Sequence, residues 1–116
     1  MRIMVLLTEP DHYDVWEAAD AQERGRFFDR LEAFGNAVAE RGAIVAGEGL
    51  DHHGRARTLG PRTDDGRAVT DGPYAEAAEQ LGGFYLVDLP DLDTAVELAR
   101  LLPDNLTVEL RPATAA

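Results

Sequence analysis

Three histidines and a scatter of carboxylates carry most of the chemistry this sequence could offer. His52 and His53 follow Asp51 directly, and His12 follows Asp11. An imidazole beside a carboxylate suits proton transfer near neutral pH. The same grouping invites a metal, but adjacent histidines on an extended segment point to opposite sides and chelate poorly. No H-E-x-x-H or comparable ligand spacing is present, so no metal site is expected. His52 is the histidine taken as an acid or base.

The stretch Asp71-Gly72-Pro73-Tyr74 opens two readings. Asp71 can serve as acid or base at the mouth of a pocket. Asp-Gly-Pro is equally sound turn chemistry: Asp accepts local backbone hydrogen bonds, Gly takes unusual φ, and Pro fixes the exit. Tyr74 combines a ring for packing with a hydroxyl for hydrogen bonding. Glu76 and Glu79 are spaced so that one helical turn would put both on one face, where paired carboxylates hold a proton or simply face water. Gly82-Gly83 lacks the G-x-G-x-x-G context of a dinucleotide site, and neither a G-x-S-x-G motif nor a P-loop occurs.

Periodicity outlines the elements that must position these groups. Arg2 to Thr8 reads as a strand with Ile3, Val5 and Leu7 on one face and Met4 and Leu6 on the other. Glu9 to Ala19 reads as a loop or a short helical turn. A helix is predicted from Asp20, its N-cap, with Glu23 at the capping-box position. Its stripe is Phe27, Leu31, Phe34 and Val38, with Phe28 alongside. Gly35 interrupts that stripe, which a close approach to the sheet would explain, and Gly42 is read as a left-handed stop. Ala43 to Leu50 is a second strand. Arg55 to Pro61 and Arg67 to Thr70 pair as a hairpin around Asp65-Gly66, a type I′ signal. Phe84 to Leu89 is a nearly continuous apolar strand. A helix follows from Asp91 to Leu102, ended by Pro103, and Leu106 to Arg111 alternates as an edge strand.

The 116 residues suit one domain, and 45% apolar content suits a packed core. Strand, helix, strand occurs twice, which gives an α+β fold of ferredoxin-like plan, β-α-β-β-α-β, with the hairpin inserted in the middle. Two helices cover only one face of such a sheet. Met4, Leu6 and alternate residues of Phe84 to Leu89 are then left on the other face, a patch too apolar for a monomer. Two copies packed sheet to sheet would cover it, so a homodimer forming an α+β barrel is expected.

Composition narrows the function. With 22 acidic against 11 basic side chains and a formal charge of −11, the surface repels phosphate backbones, so no nucleic-acid partner is expected. The absence of cysteine removes disulfides, thiolate metal sites and cysteine nucleophiles, and fits a reducing, cytoplasmic setting. No apolar run of about 18 residues is present, so no membrane span is expected, and no signal peptide is read.

The segment Asp71 to Leu86, DGPYAEAAEQLGGFYL, resembles the signature of the DGPF subgroup of YCII-related proteins, with Tyr74 where Phe is usual. The resemblance extends to Gly42 and Val45-Ala46-Gly47-Glu48, to Pro90-Asp91-Leu92-Asp93, and to Val108-Glu109-Arg111-Pro112. It implies a dimeric ferredoxin-like α+β barrel. It also implies a link to enzymes of aromatic breakdown through a His–Asp pair, but Leu31 and Leu102 stand at those two positions here. Other relatives of this type are linked to sigma-factor systems.

Two functions follow as expectations. The first is a small-molecule site in the cleft beside Asp71–Gly83, acting without a cofactor as a lyase or isomerase by proton transfer on a cyclic or aromatic-derived substrate. Asp71 and His52 would be catalytic, and Tyr74, Glu76 and Glu79 would bind substrate. The second is a non-catalytic regulatory or protein-interaction module without direct DNA contact.

Overall fold

The computed structural model describes residues 1–74 and 79–114. A four-stranded sheet forms from β1 (Arg2–Pro10), β2 (Ala43–Gly49), β5 (Glu79–Asp88) and β6 (Thr107–Pro112), in the order β2-β5-β1-β6 with every neighbour antiparallel. The two strands that are apolar on both faces are the central ones, where both faces need cover. The alternating last strand lies at an edge. The chain also forms α1 (His12–Ala18), α2 (Ala21–Arg41) and α3 (Leu92–Ala99), and a short pair, β3 (Arg57–Leu59) with β4 (Val69–Asp71). The architecture is mixed α+β.

One face of the sheet makes the core. Ile3, Val5 and Val87 are fully buried there against Phe34 and Val38 of α2, with Ala95 of α3 and Leu102 beyond it. The Phe34 and Tyr85 rings meet at 5.2 Å. Asp20 caps α2 by accepting the Glu23 amide at 2.8 Å, and Asp91 caps α3 by accepting the Thr94 amide at 2.7 Å.

Four local expectations need correction. Gly42 does end α2, but in extended rather than left-handed backbone, at φ −174°. Its reason is crowding: a Cβ there would lie 1.9 Å from the carbonyl oxygen of Asp88. Gly35, by contrast, is not sterically required, since a Cβ would meet only Ile44 Cδ1 at 3.5 Å. The hairpin turn closes between Thr63 and Gly66 through paired backbone bonds of 2.8 and 3.0 Å. Gly66 has φ 92° while Asp65 keeps negative φ, so the turn is not type I′. Finally, β5 begins at Glu79, and Gly82-Gly83 therefore lies within the strand.

The chain is thin for its length. Its radius of gyration is 16.2 Å and its extents are 51 × 40 × 19 Å, against about 13 Å for a compact domain of this size. The sheet face away from the helices carries Met4, Leu6, Phe84 and Leu86, all only half-buried and none packed into the core. None of the helices among the described residues is long and apolar enough to cross a membrane.

Candidate functional site

Of the residues singled out from the sequence, Asp71, His52 and Glu79 each hold partners of their own. Asp71 ends β4 on the surface and pairs with Arg57 at 3.0 Å. Gly72 takes φ 102° and its amide bonds to Ala56 O at 2.8 Å, as a turn requires. Tyr74 is 90% exposed. His52 caps the 3-10 turn His53–Arg55, its Nδ1 accepting the Gly54 amide at 2.9 Å. That turn also stacks the His52 and His53 rings at 4.2 Å instead of splaying them as an extended segment would. Glu79 lies on a strand, not a helical turn, and accepts hydroxyl bonds from Thr8 at 2.8 Å and Thr107 at 3.0 Å. Glu76 lies outside the described residues.

A tighter constellation forms where β1 runs past the core. Strand alternation continues the buried face of Ile3, Val5 and Leu7 to Glu9, which is 5% exposed. Asp11 then takes the left-handed conformation, φ 50°, and turns the chain sharply into α1. The turn folds His12 back over Glu9, so that His12 Nδ1 and Glu9 Oε2 share a hydrogen bond of 2.5 Å. Asn105, in the turn before β6, donates Nδ2 to Glu9 Oε1 at 2.6 Å. Burying a carboxylate is costly unless its oxygens are occupied; both are.

The chemistry follows from the donor inventory. An ionised carboxylate only accepts, so it holds the hydrogen on Nδ1 and leaves the Nε2 lone pair available. The imidazole is then an oriented base, as in any carboxylate-positioned histidine. Its ring lies against Gly82, where a Cβ would be 3.3 Å from His12 Cδ2. The β1–β5 register skips Gly82, pairing Leu7 with Gly83 and Thr8 with Leu81, and such irregularities re-aim neighbouring groups.

Two large hollows border His12, beside a small one of about 30 Å³. One, of about 440 Å³, lies between an aromatic wall of Tyr13, Trp16, Phe27 and Phe28 and a strand wall containing Gly47, Gly49, Gly82 and Gly83. The other, of about 380 Å³, is bounded by residues that include Glu9, Trp16, Arg26, Phe27, Arg30 and Asn105. Trp16 meets Phe27 at 5.3 Å and Phe28 at 5.4 Å, edge to face, the favoured aromatic geometry. Arg24 Nη2 donates to the Trp16 carbonyl at 2.9 Å and its guanidinium lies 5.1 Å from the indole, tying α1 to α2. The Tyr13 hydroxyl donates to the Leu50 carbonyl and lies 2.5 Å from Asp51 O. Burial, and secondarily Asp51, pushes its pKa above the ordinary tyrosine value, so the phenol stays a neutral donor. Neither hollow is lined by Asp71, His52, Tyr74 or Glu79. Among the described residues no three His, Asp or Glu side chains gather as a metal site.

Sequence reasoning considered His12 only beside Asp11 and passed over Glu9. The signal was available: Glu9 continues the Ile3, Val5, Leu7 alternation, and a carboxylate on a buried face needs a partner. Of the positions implied for a His–Asp pair, Leu102 is buried in the core, while Leu31 is half-buried, packs against the core and lines the larger hollow.

Comparison with known proteins adds two findings. A family model described as "YCII-related domain" matches residues 1–106. An uncharacterised protein of Rhizobium meliloti is 50% identical over 48 residues, a match covering 38% of this chain and 39% of that protein's length.

Proposed function

The chain belongs to the YCII-related domain family, and from that premise we propose that it binds a small cyclic or aromatic-derived molecule and moves a proton on it at His12. The observation that carries this reading is the buried Glu9 carboxylate, which orients His12 through a 2.5 Å bond and is itself held by Asn105 at 2.6 Å. Cofactor-free lyase or isomerase chemistry needs one such oriented base beside an apolar cavity. The acid–base role expected of Asp71 and His52 is assigned here to the Glu9–His12 pair. His52 lies outside the lining of either hollow, its ring 4.9 Å from that of Tyr13.

The Asp71-Gly72-Pro73-Tyr74 motif supports assignment to the DGPF subgroup. The strand order supports a ferredoxin-like plan: with the short hairpin set aside, the first and third strands are central and the second and fourth are edges. The half-buried Met4, Leu6, Phe84 and Leu86 support a dimer closed through those faces, and the cysteine-free sequence is in keeping with the cytoplasm. A non-catalytic, protein-binding role is a second reading, favoured by the aliphatic Leu31 and Leu102 where the family resemblance implies an acid–base pair.

The test is proton exchange. Wild type and His12→Gln are incubated in D₂O with small cyclic ketones and lactones carrying an activated C–H, and loss of that proton signal is followed by NMR. Wild type should exchange at least one of them about 10²-fold or more faster than the variant. Equal rates, or no exchange by wild type across the panel, would sink the proton-transfer reading.

A further inference from the structure

Four glycines line one wall of the larger hollow, and three have a steric reason for being glycine. A Cβ on Gly47 would lie 2.6 Å from the Tyr85 ring, one on Gly82 would press on His12 at 3.3 Å, and one on Gly83 would lie 3.1 Å from the Glu48 carbonyl. Gly49 is different. A Cβ there would meet nothing within 4 Å, and its φ lies outside the left-handed range. Gly49 is the last residue of β2, and with neither crowding nor left-handed backbone there, its missing side chain leaves the strand end open to close approach by another group.

The direction of that space is set by register. Gly49 pairs with Gly83, which pairs with Leu7, so all three belong to the helix-side face. Further along β2, Ile44 is in reach of α2 at Gly35, but at Gly49 the strand faces the hollow. Across it stand Trp16, Phe27 and Phe28, in mutual edge-to-face contact. Among the described residues, the polar side-chain groups on that side are those of His12, Tyr13 and the Trp16 indole, with Glu48 and Tyr85 on the strand side, and the Tyr13 hydroxyl is already bonded to backbone carbonyls.

We infer that Gly49 is a specificity-determining residue, whose missing side chain leaves a slot for one flat, uncharged ring bearing a single polar group toward His12. A flat ring would lie between bare strand backbone on one side and the Trp16, Phe27 and Phe28 side chains on the other, where a puckered ring of equal carbon count needs more depth. The inference rests on the reading of this hollow as the ligand site, but not on the proton chemistry.

The test uses phenol as the flat probe and cyclohexanol as the puckered one, followed by amide and indole NMR shifts. Trp16 is the sole tryptophan, so its indole signal reports the hollow without ambiguity. Wild type should bind phenol with shifts at Trp16 and Gly49, and bind cyclohexanol at least about tenfold more weakly. Gly49→Leu should keep the thermal midpoint of wild type and lose phenol by at least about tenfold, with Gly49→Ala intermediate; should leucine prevent folding, Gly49→Val carries the same comparison. Phenol binding is read without any turnover, so its outcome does not depend on proton exchange and separates this test from the fate of the proton-transfer reading. Undiminished phenol binding by the Gly49 variants, equal binding of the two probes, or no binding by wild type would overturn the inference.

Discussion

Glu9 Oε2 stands 2.5 Å from His12 Nδ1, and the carboxylate that makes this contact is 5% exposed. The pair joins the end of the first strand to the first turn of the first helix, and Asn105 anchors it from near the other end of the chain.

This pair sets the tautomer of His12. In Glu9→Gln the amide can donate where the carboxylate could only accept, so the hydrogen should move from Nδ1 to Nε2. Long-range ¹⁵N–¹H NMR of the histidine rings should show the switch at His12 and leave His52 and His53 unchanged. Glu9→Ala, which strands His12 and Asn105, should lower stability by about 1–3 kcal/mol in denaturant titration.

Gly42 and Gly35 should respond oppositely to alanine. At Gly42 the new Cβ collides with the Asp88 carbonyl, so helix and strand must separate, and Gly42→Ala should cost about 2–3 kcal/mol. At Gly35 the nearest atom sits at ordinary contact distance, and alanine is the better helix former by about 1 kcal/mol. Urea unfolding of the two variants decides both signs.

The uncovered sheet face should hold two copies together. Wild type is expected to sediment as a dimer at micromolar concentration, and Leu6→Glu as a folded monomer. A monomeric wild type would remove the proposed barrel.

Acid should weaken the two helix caps. Asp20 is held below the ordinary carboxylate value by the amide bond from Glu23, and Asp91 by hydrogen bonding from Thr94. A depressed folded value adds stability that is complete above the unfolded value, about pH 4, and is lost as pH falls through the folded one. Asp20→Ala and Asp91→Ala should therefore melt below wild type at neutral pH. The gap should narrow on acidification below about pH 4, read from melting curves across that range.

Much of the architecture was legible from local pattern. Asp20 and Asp91 are the caps their positions implied, because capping depends on residues only three apart. Phe34 and Val38 are buried because the helical period puts them on one stripe. The loop residues were harder to read. Asp71 and Tyr74 looked like a site because their types are versatile, yet the first is spent on Arg57 and the second faces outward.

The sequence by itself determined the α+β class, the two central strands and the caps, since each follows from spacing within a dozen or so residues. It also contained the clue to Glu9, a carboxylate in phase with buried aliphatics. Only the tertiary structure decided what that carboxylate does. His12 reaches it through a left-handed residue at Asp11, and Asn105 reaches it across 96 positions of chain. The hollow beside them likewise exists because two helices and two glycine-bearing strands meet there, a relation that no local pattern encodes.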